Sequence, residues 1–183
     1  MKKIFLSLFC LSLSITLCAQ KMLPEIKDGT KMTASAFLQG QAYPLNFAVK
    51  STKAPVTIAW SVEGYGDGEF VISEKALESG NAIYLIQPSL GTTKLSDSET
   101  YGLISKAAYK SLIDTKEFTY SGIKFKAKTT ALIPMKIGGK EMDATQIVSE
   151  DGKIELWVLN NPSFPFILQT AGLPIDIVVS EIN

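Results

Sequence analysis

The sequence predicts a mainly β chain: a single antiparallel meander curled into a half-barrel, with one mid-chain helix at about residues 103–114. Three observations carry this. Apolar and polar residues alternate at period two through most of the chain, the spacing of half-buried antiparallel strands. Turn residues divide these runs, among them Gly138-Gly139 and Asp151-Gly152, which accept the positive φ angles that tight hairpins require. Only one window, beginning at Leu103, changes to helical spacing.

The chain starts "MKKIFLSLFCLSLSITLCAQ", with Lys2 and Lys3 ahead of an apolar run from Ile4 to Leu17 and a small residue, Ala19, before Gln20. This is the pattern of a secretory signal peptide, residues 1–19, with Gln20 as the new first residue. A lipoprotein anchor on Cys18 is the alternative, but Leu17 stands where that signal calls for a small residue. The expected location is therefore periplasmic or extracellular. No later window holds the roughly 20 apolar residues of a membrane-crossing helix, so no transmembrane span is expected.

Residues 20–41 are mixed and polar, with Pro24, Gly29 and Gly40, and read as a flexible leader. Residues 42–183 read as one β-rich domain. Leu45, Phe47 and Val49 alternate with Asn46, Ala48 and Lys50; beyond the turn "STKAP", Val56, Ile58, Trp60 and Val62 alternate with Thr57, Ala59, Ser61 and Glu63. "EFVISE" and "AIYLIQP" read as strands, and "KALESGN" between them offers a helical turn closed by Gly80. Ser96 and Glu99 have capping-box spacing, although Gly102 argues for a later helix start. From Leu103, Ile104, Ala107, Ala108, Leu112 and Ile113 recur at helical spacing. Strands then return as "FTYSGIKFKAK", "ALIPMKI", "MDATQIVSE", "KIELWVLN", "FILQTA" and "LPIDIVVSEI".

Composition excludes several chemistries. There is no histidine, every basic residue is lysine, and both cysteines, Cys10 and Cys18, fall within the signal segment. The mature chain then lacks the means for a Cys/His zinc site, a Ser–His–Asp triad or a Cys–His pair. Without arginine it also lacks the planar fork that clamps carboxylates and phosphates. Of eighteen lysines and eighteen acids, loss of Lys2 and Lys3 with the signal segment leaves the mature chain slightly acidic, which gives no electrostatic reason to expect nucleic acid. No cofactor, no metal and no catalytic residue is expected.

Three stretches are candidate sites. In "DGKIELWVLNNPSFPFIL", Ile154, Leu156 and Val158 share one strand face and Glu155, Trp157 and Leu159 the other, followed by Phe164 and Phe166 in a proline-punctuated loop. Either the strand is core on both faces, or Trp157, Leu159, Phe164 and Phe166 line a cavity or apolar patch for a lipid-like ligand, or the stretch is a protein-docking surface. In "SGIKFKAKT", Lys124, Lys126 and Lys128 share a face: a guard against edge aggregation, or a dock for an anionic headgroup or glycan. In "EGYGDGE", Glu63, Asp67 and Glu69 accompany three glycines and Tyr65. This reads as a hairpin turn, with calcium binding or carboxylate catalysis on glycans as the other readings.

The signal segment, meander, mid-chain helix and greasy inner face resemble the periplasmic lipoprotein-carrier superfamily. More specifically, "GGKEMDATQIVSEDGKIELWVLNNPSFPFILQTAGLPIDIVVSEI" resembles uncharacterised bacterial exported proteins of that half-barrel type. The resemblance covers mainly residues 95–182. It implies a half-barrel closed by helices, and the carriers' arginine has no counterpart here. The expected function is a non-enzymatic exported envelope protein that binds a lipid-like small molecule or an envelope-protein partner. The alternatives are a carboxylate-based enzyme acting on glycans and a structural subunit of a cell-surface assembly.

Overall fold

The computed structural model describes residues 24–84 and 88–183. The signal segment, residues 1–19, with Cys18, lies outside the described residues, as do residues 85–87 of "AIYLIQP". In chain order the elements are β1 (Lys31–Leu38), β2 (Gln41–Ser51), β3 (Val56–Val62), β4 (Gly66–Ile72), α1 (Glu74–Ser79), β5 (Ala82–Ile83), β6 (Gly91–Lys94), β7 (Glu99–Thr100) and α2 (Lys106–Thr115). They continue with β8 (Glu117–Tyr120), β9 (Ile123–Ala127), β10 (Ile133–Ile137), β11 (Lys140–Ser149), β12 (Glu155–Leu159), β13 (Ile167–Ala171) and β14 (Asp176–Ile182). The fold is mainly β, built on one large, curved, unclosed sheet. Its order is β6-β4-β3-β2-β1-β14-β13-β12-β11-β9-β8, with β10 on β11.

Residues 31–38, expected within a flexible leader, form a central strand instead. β1 pairs with β2 on one side and β14 on the other, Met32 opposite both Phe47 and Ile182. Its buried face is Met32, Ala34 and Ala36. Two alanines facing Thr33 and Ser35 give too little hydropathy contrast to mark a strand, yet small side chains suit a strand flanked closely by neighbours.

Among the described residues there are two helices rather than one. Ser73 caps α1 by accepting from the Ala76 N–H at 3.2 Å, and the Gly80 N–H closes it on the Ala76 carbonyl. The longer helix, α2, starts at Lys106 rather than 103, because Ser105 is its cap and accepts from the Ala108 N–H at 3.3 Å. Its inward face is Ala108, Tyr109 and Leu112, whereas Ala107 and Ile113 point outward. Ser96 and Glu99 do make capping-box contacts, with Ser96 Oγ donating to Glu99 Oε2 at 2.7 Å. The segment they close is a turn leading into β7, not a helix.

Two further differences concern pairing. β4 takes β6 as a parallel partner, and β5 pairs with β7 in parallel as a separate small sheet. "FTYSGIKFKAK" is two strands, since Ser121 and Gly122, with φ of 52° and 73°, form a two-residue turn between β8 and β9. The Gly138-Gly139 turn is present as expected, joining Ile137 to Lys140 with φ of 57° and 76°.

The core is divided in two. One cluster joins β1 to β4 with β10 to β14 and includes Met32, Phe47, Trp60, Phe70, Leu159 and Phe166. The other lies under α2 and includes Tyr109, Leu112, Phe118, Phe125, Leu156 and Val158. This explains why β12 is apolar on both faces: Leu156 and Val158 enter the helix-covered cluster, while Trp157 and Leu159 face the other.

Candidate functional site

Where two clusters meet along a curved sheet, side chains from each must fit the gap, and here they leave a cavity of ≈ 280 Å³. Ala36, Tyr43, Leu45 and Phe47 come to it from β1 and β2, and Val62 and Tyr65 from the β3–β4 hairpin. Ile83, Tyr84, Tyr101 and Gly102 come from the segment between β4 and α2, and Phe166, Ile167, Leu173 and Ile177 from the C-terminal strands. Phe166 and Phe47 belong to the first cluster; Ile167 belongs to the second, with Ile83 and Leu173 packed against it. The cavity is thus the seam between the two cores. Ala36, Leu45, Phe47 and Phe166 form a buried interior, while Tyr43 and Tyr65 are 36% and 42% exposed and mark the rim.

The interior wall is aromatic. Tyr101 stacks on Phe70 with centroids 3.9 Å apart and meets Phe47 edge-on at 6.1 Å. Phe47 meets Phe166 edge-on at 6.1 Å, and Tyr84 lies 5.5 Å from Phe70. Edge-to-face and offset contacts of this kind suit ring quadrupoles and fix ring planes. The backbone holds the wall in register: the Ile167 N–H donates to the Gly102 carbonyl at 2.7 Å, and Leu103 bridges Phe166. Gly102 has φ of +71°, and a Cβ there would lie 2.9 Å from Cε2 of Phe166. Both facts call for glycine.

A buried polar knot anchors the same segment. The Tyr120 hydroxyl accepts from the Ser105 N–H at 3.0 Å and shares a hydrogen bond with Thr100 Oγ1 at 2.8 Å. Thr100 Oγ1 also reaches the Leu103 carbonyl at 2.6 Å. Burial, outweighing these hydrogen bonds, raises the Tyr120 phenol above its ordinary pKa.

Among the described residues, no lining residue carries a formal charge. The polar side chains of the lining carry hydroxyls, and most of these are engaged. Tyr43 donates to Gln41 Oε1 at 2.7 Å, Tyr65 to the Pro88 carbonyl at 2.7 Å, and Thr170 to Asp176 Oδ1 at 3.1 Å. Tyr101 is partly accessible and lines the cavity, yet protein surrounds it closely enough that burial pushes its phenol far up.

Of the four residues expected to line a site, Phe166 does so. Phe164 is buried behind it, stacked at 6.2 Å. Leu159 is fully buried core, and Trp157 is half-buried against the same cluster. Neither is among the lining residues. Lys124, Lys126 and Lys128 pair with Glu117, Glu150 and Glu155 at 3.1, 3.5 and 2.9 Å, which neutralises the stripe. Lys128, and then Gln146, lower the pKa of the Glu155 carboxyl. Glu63 sits in the β3–β4 turn, whereas Asp67 and Glu69 lie on β4, Glu69 accepting from Thr92 Oγ1 at 3.0 Å. Among the described residues no group of three or more His, Cys, Asp or Glu is placed to hold a metal, and no helix is long and apolar enough to cross a membrane.

Sequence reasoning missed Tyr101, Tyr84 and the β1–β2 wall. The alternation in "YPLNFAVK" signalled a strand but not what it faces, and Tyr101 lies in a segment with no period. Comparison with protein-family models gives no match, and comparison with curated proteins gives none.

Proposed function

We propose that the chain is an exported, non-enzymatic envelope protein that holds a lipid-like molecule in the cavity between its two cores, and that the curved sheet is a half-barrel of the lipoprotein-carrier type. The carrying observation is the cavity: ≈ 280 Å³, walled by aliphatic and aromatic side chains, without a charged group among the described residues. An apolar concavity with a few convergent hydroxyls is the usual form of a small-molecule site. An interior of this composition favours transfer of hydrocarbon from water by roughly 25 cal/mol per Å². The exported reading comes from the signal pattern of residues 1–19.

The test is native mass spectrometry of protein exported with its own leader and purified without detergent, together with titration of a neutral apolar fluorescent dye. A releasable lipid-sized adduct and saturable dye binding at one site per chain are expected. Absence of both sinks the proposal.

A further inference from the structure

We infer that the occupant of this cavity is an uncharged acyl compound bearing a carbonyl-type acceptor, and that the Tyr101 hydroxyl is the donor that reads it. This rests on the cavity being a binding site and adds which chemistry it selects. Three observations lead there.

First, the described lining residues include no lysine, aspartate or glutamate. An ionised headgroup drawn inside would lose its hydration without gaining a counter-charge, a large penalty. Second, the hydroxyls of Tyr43, Tyr65 and Thr170 are spent on Gln41, the Pro88 carbonyl and Asp176. Tyr101 has no hydrogen-bond partner among the described residues, and burial is the sole influence on its phenol. Its oxygen is not fully enclosed, since the fully enclosed side-chain N or O atom without a partner among the described residues is Trp60 Nε1. The phenol stays protonated, so it offers a free donor at ordinary pH. Third, its ring is clamped between Phe70 and Phe47, so the donor is held in place before a ligand arrives. The volume, at about 30 Å³ for each water-sized unit, takes roughly nine such units, which suits a medium-length acyl segment.

Tyr84 also lines the cavity, and the experiment separates the two. Octane, methyl octanoate and octanoate compete at pH 8 against the neutral dye on the exported protein and on Tyr101→Phe and Tyr84→Phe variants. Methyl octanoate is expected to bind the unaltered protein about tenfold more tightly than octane, the worth of one net hydrogen bond. Octanoate is expected to be weaker than the ester by at least about tenfold. Tyr101→Phe should bring the ester to the level of octane while leaving octane and thermal stability unchanged, a result that a merely structural tyrosine would not give. Equal binding of ester and octane to the unaltered protein, loss of the ester preference in Tyr84→Phe instead, or octanoate binding as well as the ester overturns the inference and leaves the apolar site standing. Failure of every probe, dye included, overturns the site and the inference together.

Discussion

Phe164 and Phe166 lie stacked, with ring centroids 6.2 Å apart and planes 14° from parallel, yet only Phe166 reaches the cavity. Both are buried, at 4% and 1% exposure. The rear ring supports the front one, and the front one faces the ligand space. Truncating either should destabilise the fold by about 3–5 kcal/mol. In urea denaturation the two variants should look alike. In dye titration per folded molecule, only Phe166→Ala should change affinity, and equal changes would mean that Phe164 also forms part of the wall.

Leu159 and Trp157 share a strand face but not a degree of burial. Leu159→Ala should cost about 2–5 kcal/mol, as for a fully enclosed leucine. Trp157 keeps part of its surface in water, and Trp157→Ala should cost less, about 1–2 kcal/mol. Dye binding per folded molecule should be unaltered in both, because neither lines the cavity. Weakened binding in either would place the site elsewhere.

Gly102→Ala should destabilise by about 1–3 kcal/mol, the range for a residue forced into a left-handed conformation. The added methyl would also press on the Phe166 ring. Thermal denaturation measures the first effect and dye titration the second. A neutral outcome in both would show that this segment relaxes freely.

Tyr120→Phe removes the acceptor of the Ser105 N–H at the cap of α2. A buried donor left unpaired costs about 1–3 kcal/mol, so the variant should lose that much stability and exchange its α2 amides faster. Hydrogen exchange monitored by NMR reads both.

Alkaline pH should weaken the protein. Burial holds the phenols of Tyr101, Tyr120 and Tyr109 above their ordinary value of 10.0. Below about pH 10 the folded and unfolded chains are both protonated and the stabilisation is whole. Above it the unfolded chain ionises first while the folded chain retains its protons, so stability falls as pH rises. The urea midpoint should drop from pH 9 to 11.5, and Tyr101→Phe should make the drop shallower. An unchanged slope in that variant would contradict the depth assigned to Tyr101.

The periodic strands, the Gly138-Gly139 hairpin and the helical residues Ala108 and Leu112 were legible because each is a local pattern. β1 was not: its inward residues beyond Met32 are alanines, and a strand with little hydropathy contrast is recognised only by its neighbours β2 and β14. The early helix start failed for a related reason. Leu103 and Ile104 fit the helical spacing, but their backbone is claimed by Phe166 and Pro165, a competition that no local window contains.

By itself the sequence determined the mainly β class, the double-faced greasiness of "KIELWVLN" and the absence of histidine and arginine chemistry, since composition and period are properties of the chain alone. Tertiary structure decided what covers each face. It put Leu156 under α2 and Leu159 against β1 to β4, left a cavity where the two cores meet, and brought Phe47, Tyr101 and Phe166 from distant parts of the chain to its wall. A period-two pattern specifies which side of a strand avoids water. Whether that side is met by close packing or by an unfilled seam depends on the shapes of residues far away in sequence, and those meet only in the folded molecule.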